Sequence, residues 1–294
     1  MVQLTKGISL KDGIQKALEK AQKLQHSILF SYSFRFEVRD LLPILTHPSD
    51  KNTIRIYLEQ PSKGFSFAGL GSVLELHDTN KVHSQQVSQK IKQIMDEGIS
   101  VSDHLLIGPR IVGGYAFNQY TGNDETWNKF PRTKFLLPEC LGTSTDDGTW
   151  LTISKMIKPV DKSVFVENEF TRIKIFYENR LPVTLTPISR APVDKYCDVP
   201  DQRTYAKTIF SVLGRIKPGQ LEKVVISRSH LVKVGNNFSS ISAMQILRNT
   251  YPKCTSFFFS FPDKGTFFGS TPERLIRLKN RFIQTEALAG TIAR

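Results

Sequence analysis

The sequence predicts an α+β fold whose sheets are mainly antiparallel, and two observations carry this prediction. Segments with the alternating polarity of strands are grouped toward both ends of the chain, and helical segments lie between these groups instead of following every strand. In the last forty residues, short apolar runs alternate with Gly, Ser, Thr and Pro corners, which is typical of strands joined by tight turns. This order differs from the regular alternation of strand and helix in a parallel α/β protein.

The elements of the N-terminal part follow from residue spacing. Ser9 is a candidate N-cap, because apolar residues recur behind it at helical intervals. Two segments, 27–36 and 53–58, read as strands, and 64–71 reads as the hairpin partner of the second. Further along, helices are predicted at 80–97 and 162–179 and strands at 135–137 and 149–154.

The C-terminal part begins after a proline-rich stretch at 181–200, which reads as a linker or crossing connection. Asp201 is a candidate cap for the next helix, which ends near Pro218 and Gly219. A strand at 221–232, a helix at 240–250 and the final strands follow. The chain therefore divides into an N-terminal β-rich half (1–180), a linker (181–200) and a C-terminal region (201–294).

Composition limits the function classes. The chain has 294 residues, a hydrophobic content of 39% and no apolar run long enough to cross a bilayer, so we expect a globular cytoplasmic protein without a membrane partner. The residues Cys140, Cys197 and Cys254 are far apart and read as reduced thiols. The net charge of +13 is spread without basic runs, which argues against nucleic-acid binding but suits a substrate with several carboxylates.

The glycine-rich segment at 108–117 receives no nucleotide role. Glycines within a strand usually mark bulges or close packing, and no strand, GxGxxG and helix unit surrounds this segment. We also find neither a nucleophile elbow nor a cluster with metal-ligand spacing.

Lys223 and Glu273 are the candidate proton carriers. If 221–232 is a strand with apolar residues on both faces, Lys223 is partly desolvated, and desolvation lowers the pKa of a lysine toward that of a general base. A lysine that extends to solvent near the strand end is the competing interpretation. Glu273 follows a Thr-Pro corner, from which it projects into a cleft or lies on the surface. Gly290 and Thr291 offer backbone N–H groups and a hydroxyl for an anionic oxygen.

Three ordered motifs resemble the chorismate-utilising enzyme family, and most closely its isochorismate synthases of the menaquinone type. They are Lys-Val-Val-Ile-Ser-Arg at 223–228, Phe-Gly-Ser-Thr-Pro-Glu-Arg-Leu at 268–275 and Glu-Ala-Leu-Ala-Gly-Thr-Ile-Ala-Arg at 286–294. Glycine-rich segments at 67–71 and 113–117 are also similar, so the resemblance spans nearly the whole chain. It implies an α+β fold in which antiparallel sheets stack face to face with helices outside.

The resemblance also implies a reaction. Neutral Lys223 would activate water for attack at C2 of chorismate, and protonated Glu273 would protonate the departing C4 hydroxyl. Gly290 and Thr291 would bind substrate. Ala289 stands where aminodeoxychorismate synthases have a nucleophilic lysine, which implies water addition without a covalent adduct. The expected cofactor is Mg²⁺, and the expected state is a monomer.

One departure from the family affects the expected activity. Family members continue past the Ala-Gly-Thr motif into a segment with Mg²⁺-binding glutamates and basic residues, whereas this sequence ends at Arg294. We therefore expect a fragment that is inactive unless the missing segment is supplied. Two other readings stay open: a salicylate synthase, which shares Lys223 and Glu273, and a non-catalytic basic binding protein.

Overall fold

The computed structural model describes most of the chain, namely residues 3–5, 7–46, 53–77, 84–104, 106–116, 127, 130–180, 193–235, 238–262, 264–279 and 281–286. The helices are α1 (Leu10–Leu24), α2 (Ser84–Glu97), α3 (Ser163–Arg180), α4 (Gln202–Ile216) and α5 (Ser240–Thr250). The strands are β1 (Gln3–Thr5), β2 (Ile28–Phe36), β3 (Arg55–Gln60), β4 (Phe65–Leu70), β5 (Leu74–His77), β6 (Ile99–Val101), β7 (Val112–Tyr115), β8 (Thr133–Leu137), β9 (Cys140–Thr145), β10 (Gly148–Ile157), β11 (Val193–Val199), β12 (Ser229–Val234), β13 (Thr255–Phe261), β14 (Gly265–Thr271), β15 (Arg277–Lys279) and β16 (Phe282–Gln284).

The chain divides into two compact units. The larger unit combines Met1–Leu185 with Ala243–Arg294, and the smaller unit is Thr186–Ser242. The three-part division expected from the sequence remains a prediction.

A nine-stranded sheet forms the centre of the larger unit, in the order β1-β6-β2-β10-β9-β4-β3-β13-β14. Its pairings are antiparallel except at β6, which runs parallel to both β1 and β2. The three-stranded antiparallel sheet β5-β8-β7 packs against it, because Leu136 of β8 is buried in one cluster with Ile56 and Phe67 of the large sheet. The predicted α+β class with large antiparallel sheets is confirmed.

Helices cover the large sheet beside β2 and β10. The side chain of Ser9 accepts a hydrogen bond from the backbone N–H of Asp12, which caps α1 as predicted. Phe170 of α3 packs against Phe30 of β2 with their ring centroids 5.3 Å apart. Within the described residues, no helix is both long and apolar enough to cross a bilayer.

Small hydroxyl side chains fill part of this core. Ser31 pairs with Ser154 across β2 and β10 at 2.8 Å, and Ser33 pairs with Thr152 at 2.9 Å, all four being buried. Each hydroxyl satisfies the other, so the sheet buries these polar atoms without leaving them unpaired.

Arg248 of α5 forms hydrogen bonds with Asp40 and Tyr57 within the larger unit. Its Nη1 and Nη2 donate to the two carboxylate oxygens of Asp40, at 2.8 and 2.6 Å, and Nη1 also donates to the hydroxyl of Tyr57 at 3.2 Å. Burial alone would raise the pKa of Asp40, but the hydrogen bonds and charge of Arg248 outweigh it and hold the pKa below its ordinary value of 3.8.

We therefore expect the stability lost in an Asp40→Asn variant to depend on pH. Because the pKa of Asp40 is lower in the folded state, its contribution is present above the unfolded pKa and is lost as pH falls through the folded one. Urea unfolding should show the full difference from wild type at pH 7 and a smaller one at about pH 3. An equal difference at both pH values would contradict this ion pair. Asp146→Asn, at an exposed position, is the control.

The smaller unit is built on a β-ribbon. Strands β11 and β12 pair antiparallel from Val193 with Val234 to Val199 with Ser229. Residues 193–199 therefore form a strand, whereas the sequence predicted a linker there. The carboxylate of Asp201 accepts hydrogen bonds from the N–H groups of Arg203 and Thr204, which confirms the predicted cap of α4.

Candidate active site

Lys223 lies in the smaller unit, in the irregular segment between α4 and β12, and its side chain is exposed. The strand predicted at 221–232 begins only at Ser229, so the prediction was wrong for residues 221–228. The register gives the reason: Ser229 pairs with Val199, and the next partner would be Pro200. Proline has no N–H to donate, and the following Asp201 caps α4, so the ribbon ends there. The partial desolvation that a strand with two apolar faces would give Lys223 is therefore not found, and the competing interpretation, a lysine that extends to solvent, agrees with its exposure.

Charged and aromatic contacts hold the end of the Lys223 segment. The guanidinium of Arg228 lies 2.9 Å from Asp198 and over the ring of Tyr205, at 5.2 Å from its centroid. The hydroxyl of Tyr205 donates to the carbonyl of Ile226 at 3.4 Å. Arg228 and Ile226 are thus fixed against α4 and β11, which positions the C-terminal end of the motif that contains Lys223.

Asp198 also binds a second basic side chain. Its Oδ1 lies 2.6 Å from Nδ1 of His230, which stacks against Tyr196 with the centroids 5.3 Å apart. The hydrogen bond to His230, followed by the charge of Arg228, lowers the pKa of Asp198. Asp198 was not among the predicted site residues, because it lies within the predicted linker. The signal for it is the pairing of β11 with β12, because register alone places Asp198 opposite His230.

Glu273 lies in the larger unit, directly after β14, and its side chain is exposed. Its backbone N–H donates to Oγ1 of Thr271 at 3.2 Å, so the threonine hydroxyl shapes the predicted Thr-Pro corner. The strand before it is anchored, because Ser270 of β14 pairs with Ser256 of β13 at 2.8 Å. The carboxylate is thus presented from a turn at the end of the outermost strand of the nine-stranded sheet.

The turn after Glu273 is held by its neighbours. Nη1 of Arg274 donates to Oε1 of Glu286 at 3.0 Å, and the hydroxyl of Thr285 donates to the carbonyl of Leu275 at 2.9 Å. These two contacts join the last described residues to the residues that follow Glu273 in the sequence. Gly290 and Thr291, the predicted substrate-binding residues, lie outside the described residues.

The structure places the two candidate proton carriers in different units, Lys223 in the smaller and Glu273 in the larger. It defines the surroundings of each residue separately. Both are exposed, and hydrogen bonds hold the backbone after Lys223, at Ile226, and the turn that carries Glu273.

The described residues offer no cradle for a metal ion. Among them, no group of three or more His, Cys, Asp and Glu side chains lies close enough together to coordinate one. They do not fit the Mg²⁺ that the resemblance implies, so no step of the reaction is assigned to it.

The comparisons with known proteins cover nearly the whole sequence. A model of the family described as chorismate binding enzyme matches residues 16–294. The chain is 24% identical over 287 residues to the isochorismate synthase MenF of Bacillus subtilis, covering 95% of this chain and 60% of that protein. It is 21% identical over 294 residues to the salicylate biosynthesis isochorismate synthase of Pseudomonas aeruginosa, covering 97% of this chain and 58% of that protein.

A solved structure shows the same fold. The menaquinone-specific isochorismate synthase MenF of Escherichia coli matches with a TM-score of 0.61 and 17% identity, over 90% of this chain and 56% of that chain. The chain therefore spans less than two thirds of the length of these relatives. Since the family model matches far more than half of the sequence, the chain belongs to the chorismate binding enzyme family.

Proposed function

We propose that the chain serves in isochorismate synthesis, the conversion of chorismate to isochorismate. One observation carries this proposal: the curated proteins that match nearly its whole length are named isochorismate synthases. The motif around Lys223 supports the same reaction, because the family resemblance places a water-activating lysine there. The Escherichia coli relative of known structure is described as menaquinone-specific, which favours the menaquinone pathway as the destination of the product.

The proposed reaction exchanges one hydroxyl for another. Neutral Lys223 takes a proton from water as the water oxygen bonds to C2 of chorismate. The ring double bonds shift, the C4–O bond breaks, and Glu273 donates the proton with which the hydroxyl leaves as water. Water enters and water departs, so substrate and product are isomers. The basic character of the chain, at +13, suits a substrate with two carboxylates.

Because both side chains are exposed, the bound substrate would have to exclude water from them. A neutral lysine and a protonated glutamate are the reverse of their forms in water, and exclusion of water favours both uncharged forms. Because Lys223 and Glu273 are exposed in this structure, we propose that bound chorismate removes water from them. The Mg²⁺ requirement, the monomeric state and the cytoplasmic location remain predictions.

The test uses a hybrid enzyme, in which this chain replaces the region of the Bacillus subtilis relative that it matches. We expect the purified hybrid to convert chorismate to isochorismate in the presence of Mg²⁺. The unmodified Bacillus subtilis relative, assayed under the same conditions, is the positive control. Circular dichroism and size-exclusion chromatography establish that the hybrid is folded. A folded hybrid that makes no isochorismate, or that accumulates salicylate from chorismate, would overturn the proposal in favour of a binding protein or a salicylate synthase.

A further inference from the structure

An open cleft in the larger unit is lined by none of the residues assigned to the reaction. The Arg110 cleft, as we call it, has a volume of about 480 Å³ and lies between Phe67 of β4, Phe135 of β8 and residues 109–113, which lead into β7. Small-molecule sites typically have volumes of about 300–1,000 Å³. The side chains that line it are mostly apolar or aromatic, namely those of Phe67, Phe135, Ile111 and Val112, while polar atoms contribute about as much of the exposed lining as apolar ones.

The wall of the cleft depends on a glycine. Gly113 pairs with Phe135 in the ladder of β7 and β8. A Cβ at position 113 would lie 2.0 Å from the carbonyl oxygen of Lys134 and 2.6 Å from Cα of Phe135, and both of these are backbone atoms that cannot move aside. Only glycine permits this approach of the two strands. The glycine-rich segment thus has a packing role, as the sequence predicted, and that packing builds one side of the cleft.

Among the described residues that line the cleft, Arg110 is the charged one. Its Nη2 donates to the carbonyl of Leu106 at 2.8 Å, and its guanidinium carbon lies 5.5 Å from the ring centroid of Phe65. Its Nε is buried without a hydrogen-bond partner. Within the described part of the chain, no carboxylate forms an ion pair with Arg110. Among the described residues, some N–H groups of this guanidinium therefore have no hydrogen-bond acceptor.

This arrangement leaves a cation poorly compensated. Burial of the guanidinium lowers its pKa, which reflects the cost of removing its charge from water. Two other partly buried arginines have a carboxylate, since Arg248 binds Asp40 and Arg274 binds Glu286. Arg55, like Arg110, has a buried Nε without a hydrogen-bond partner. A desolvated cation is costly, and the charge of an anion that enters the cleft would offset that cost.

We propose that the Arg110 cleft binds a small carboxylate carried on a flat, apolar ring. The planar fork of an arginine matches the two oxygens of a carboxylate, and the rings of Phe67 and Phe135 provide surfaces for a planar body. A single cation suits a single negative charge. A phosphate, with close to two charges and no apolar surface, fits an apolar cleft with one arginine less well.

Binding of benzoate to the 294-residue chain, followed by saturation-transfer NMR and isothermal titration calorimetry, tests the proposal. We expect saturable binding of benzoate, and binding at least about tenfold weaker for neutral benzamide and for acetate, which lacks the ring. Arg110→Gln should weaken benzoate binding about tenfold or more. Arg110→Lys, which keeps the charge but loses the fork, should weaken it several-fold. Arg35→Gln is the matched control, because Arg35 also lies over an aromatic ring, that of Trp150, and donates to a carbonyl.

Each result of these binding experiments either supports or overturns the proposal. Absence of saturable benzoate binding to the wild-type chain would overturn the proposal. Three other results would also overturn it. These are benzamide binding as tight as benzoate binding, displacement of benzoate by phosphate more effectively than by benzoate analogues, and benzoate binding by Arg110→Gln that equals wild type. If Arg110→Gln does not fold, Arg110→Lys and Phe135→Leu carry the test, and the latter should reduce the preference for benzoate over acetate.

Discussion

A Lys223→Ala substitution in the hybrid enzyme is expected to lower kcat for isochorismate formation by about 10²- to 10⁴-fold, the usual contribution of a positioned general base. Removal of the amine leaves no group at this position to accept the proton of the attacking water. Because Lys223 is exposed and outside any strand, the substitution removes no packing, and the variant should unfold at the same temperature as the parent. Steady-state kinetics with chorismate and thermal unfolding measure the two effects.

Two variants test the role assigned to Glu273 and the specificity of the effect. Glu273→Gln should reduce kcat by a similar factor, since the amide cannot donate the proton that the leaving hydroxyl needs. Lys233→Ala, at another exposed lysine of the smaller unit, should keep full activity. Full turnover by Lys223→Ala would refute the role of Lys223, and it is what a non-catalytic binding protein predicts. For that protein we would instead expect nucleic-acid binding that weakens with salt.

A Phe258→Ala substitution is expected to lower the free energy of unfolding by about 3–5 kcal/mol. Phe258 is 1% exposed at the centre of β13, where it lies opposite Tyr57 of β3 and Phe268 of β14. Its loss would leave a cavity among three neighbouring strands, including the strand that leads to Glu273. Urea denaturation of the 294-residue chain measures the change.

The matched control is Phe282→Ala, because Phe282 of β16 is 80% exposed. Its replacement should change stability by about 0.5 kcal/mol or less. Equal losses for the two variants would contradict the placement of β13 within the nine-stranded sheet.

The helices and the hairpin of β3 and β4 were predictable because their signals are local. Ser9 and Asp201 cap helices as their side-chain chemistry predicts, and the alternation at 53–58 identifies β3. The sequence does not distinguish a buried hydroxyl from an exposed one, however. Thr143 of β9 is fully buried between β10 and β4, and its strand, poor in large apolar residues, was not predicted.

The residues of the candidate site stay a prediction, and the surroundings of Lys223 could not be predicted from the sequence. Apolar residues at 224–226 indicated a strand around Lys223, yet a strand also needs a partner, and Pro200 ends the available one. That conflict is visible only when the register of β11 and β12 is known. Similarly, the cation of Arg110 reads as an ordinary charge in a glycine-rich segment until the structure shows the aromatic rings around it.

The origin of the new oxygen tests the central claim most directly. When the hybrid enzyme turns over chorismate in H₂¹⁸O, attack of water at C2 predicts isochorismate that carries one ¹⁸O, heavier by two mass units, with the label in the C2 hydroxyl. Mass spectrometry and NMR locate the label. Isochorismate without ¹⁸O, or salicylate as the sole product, would contradict the account.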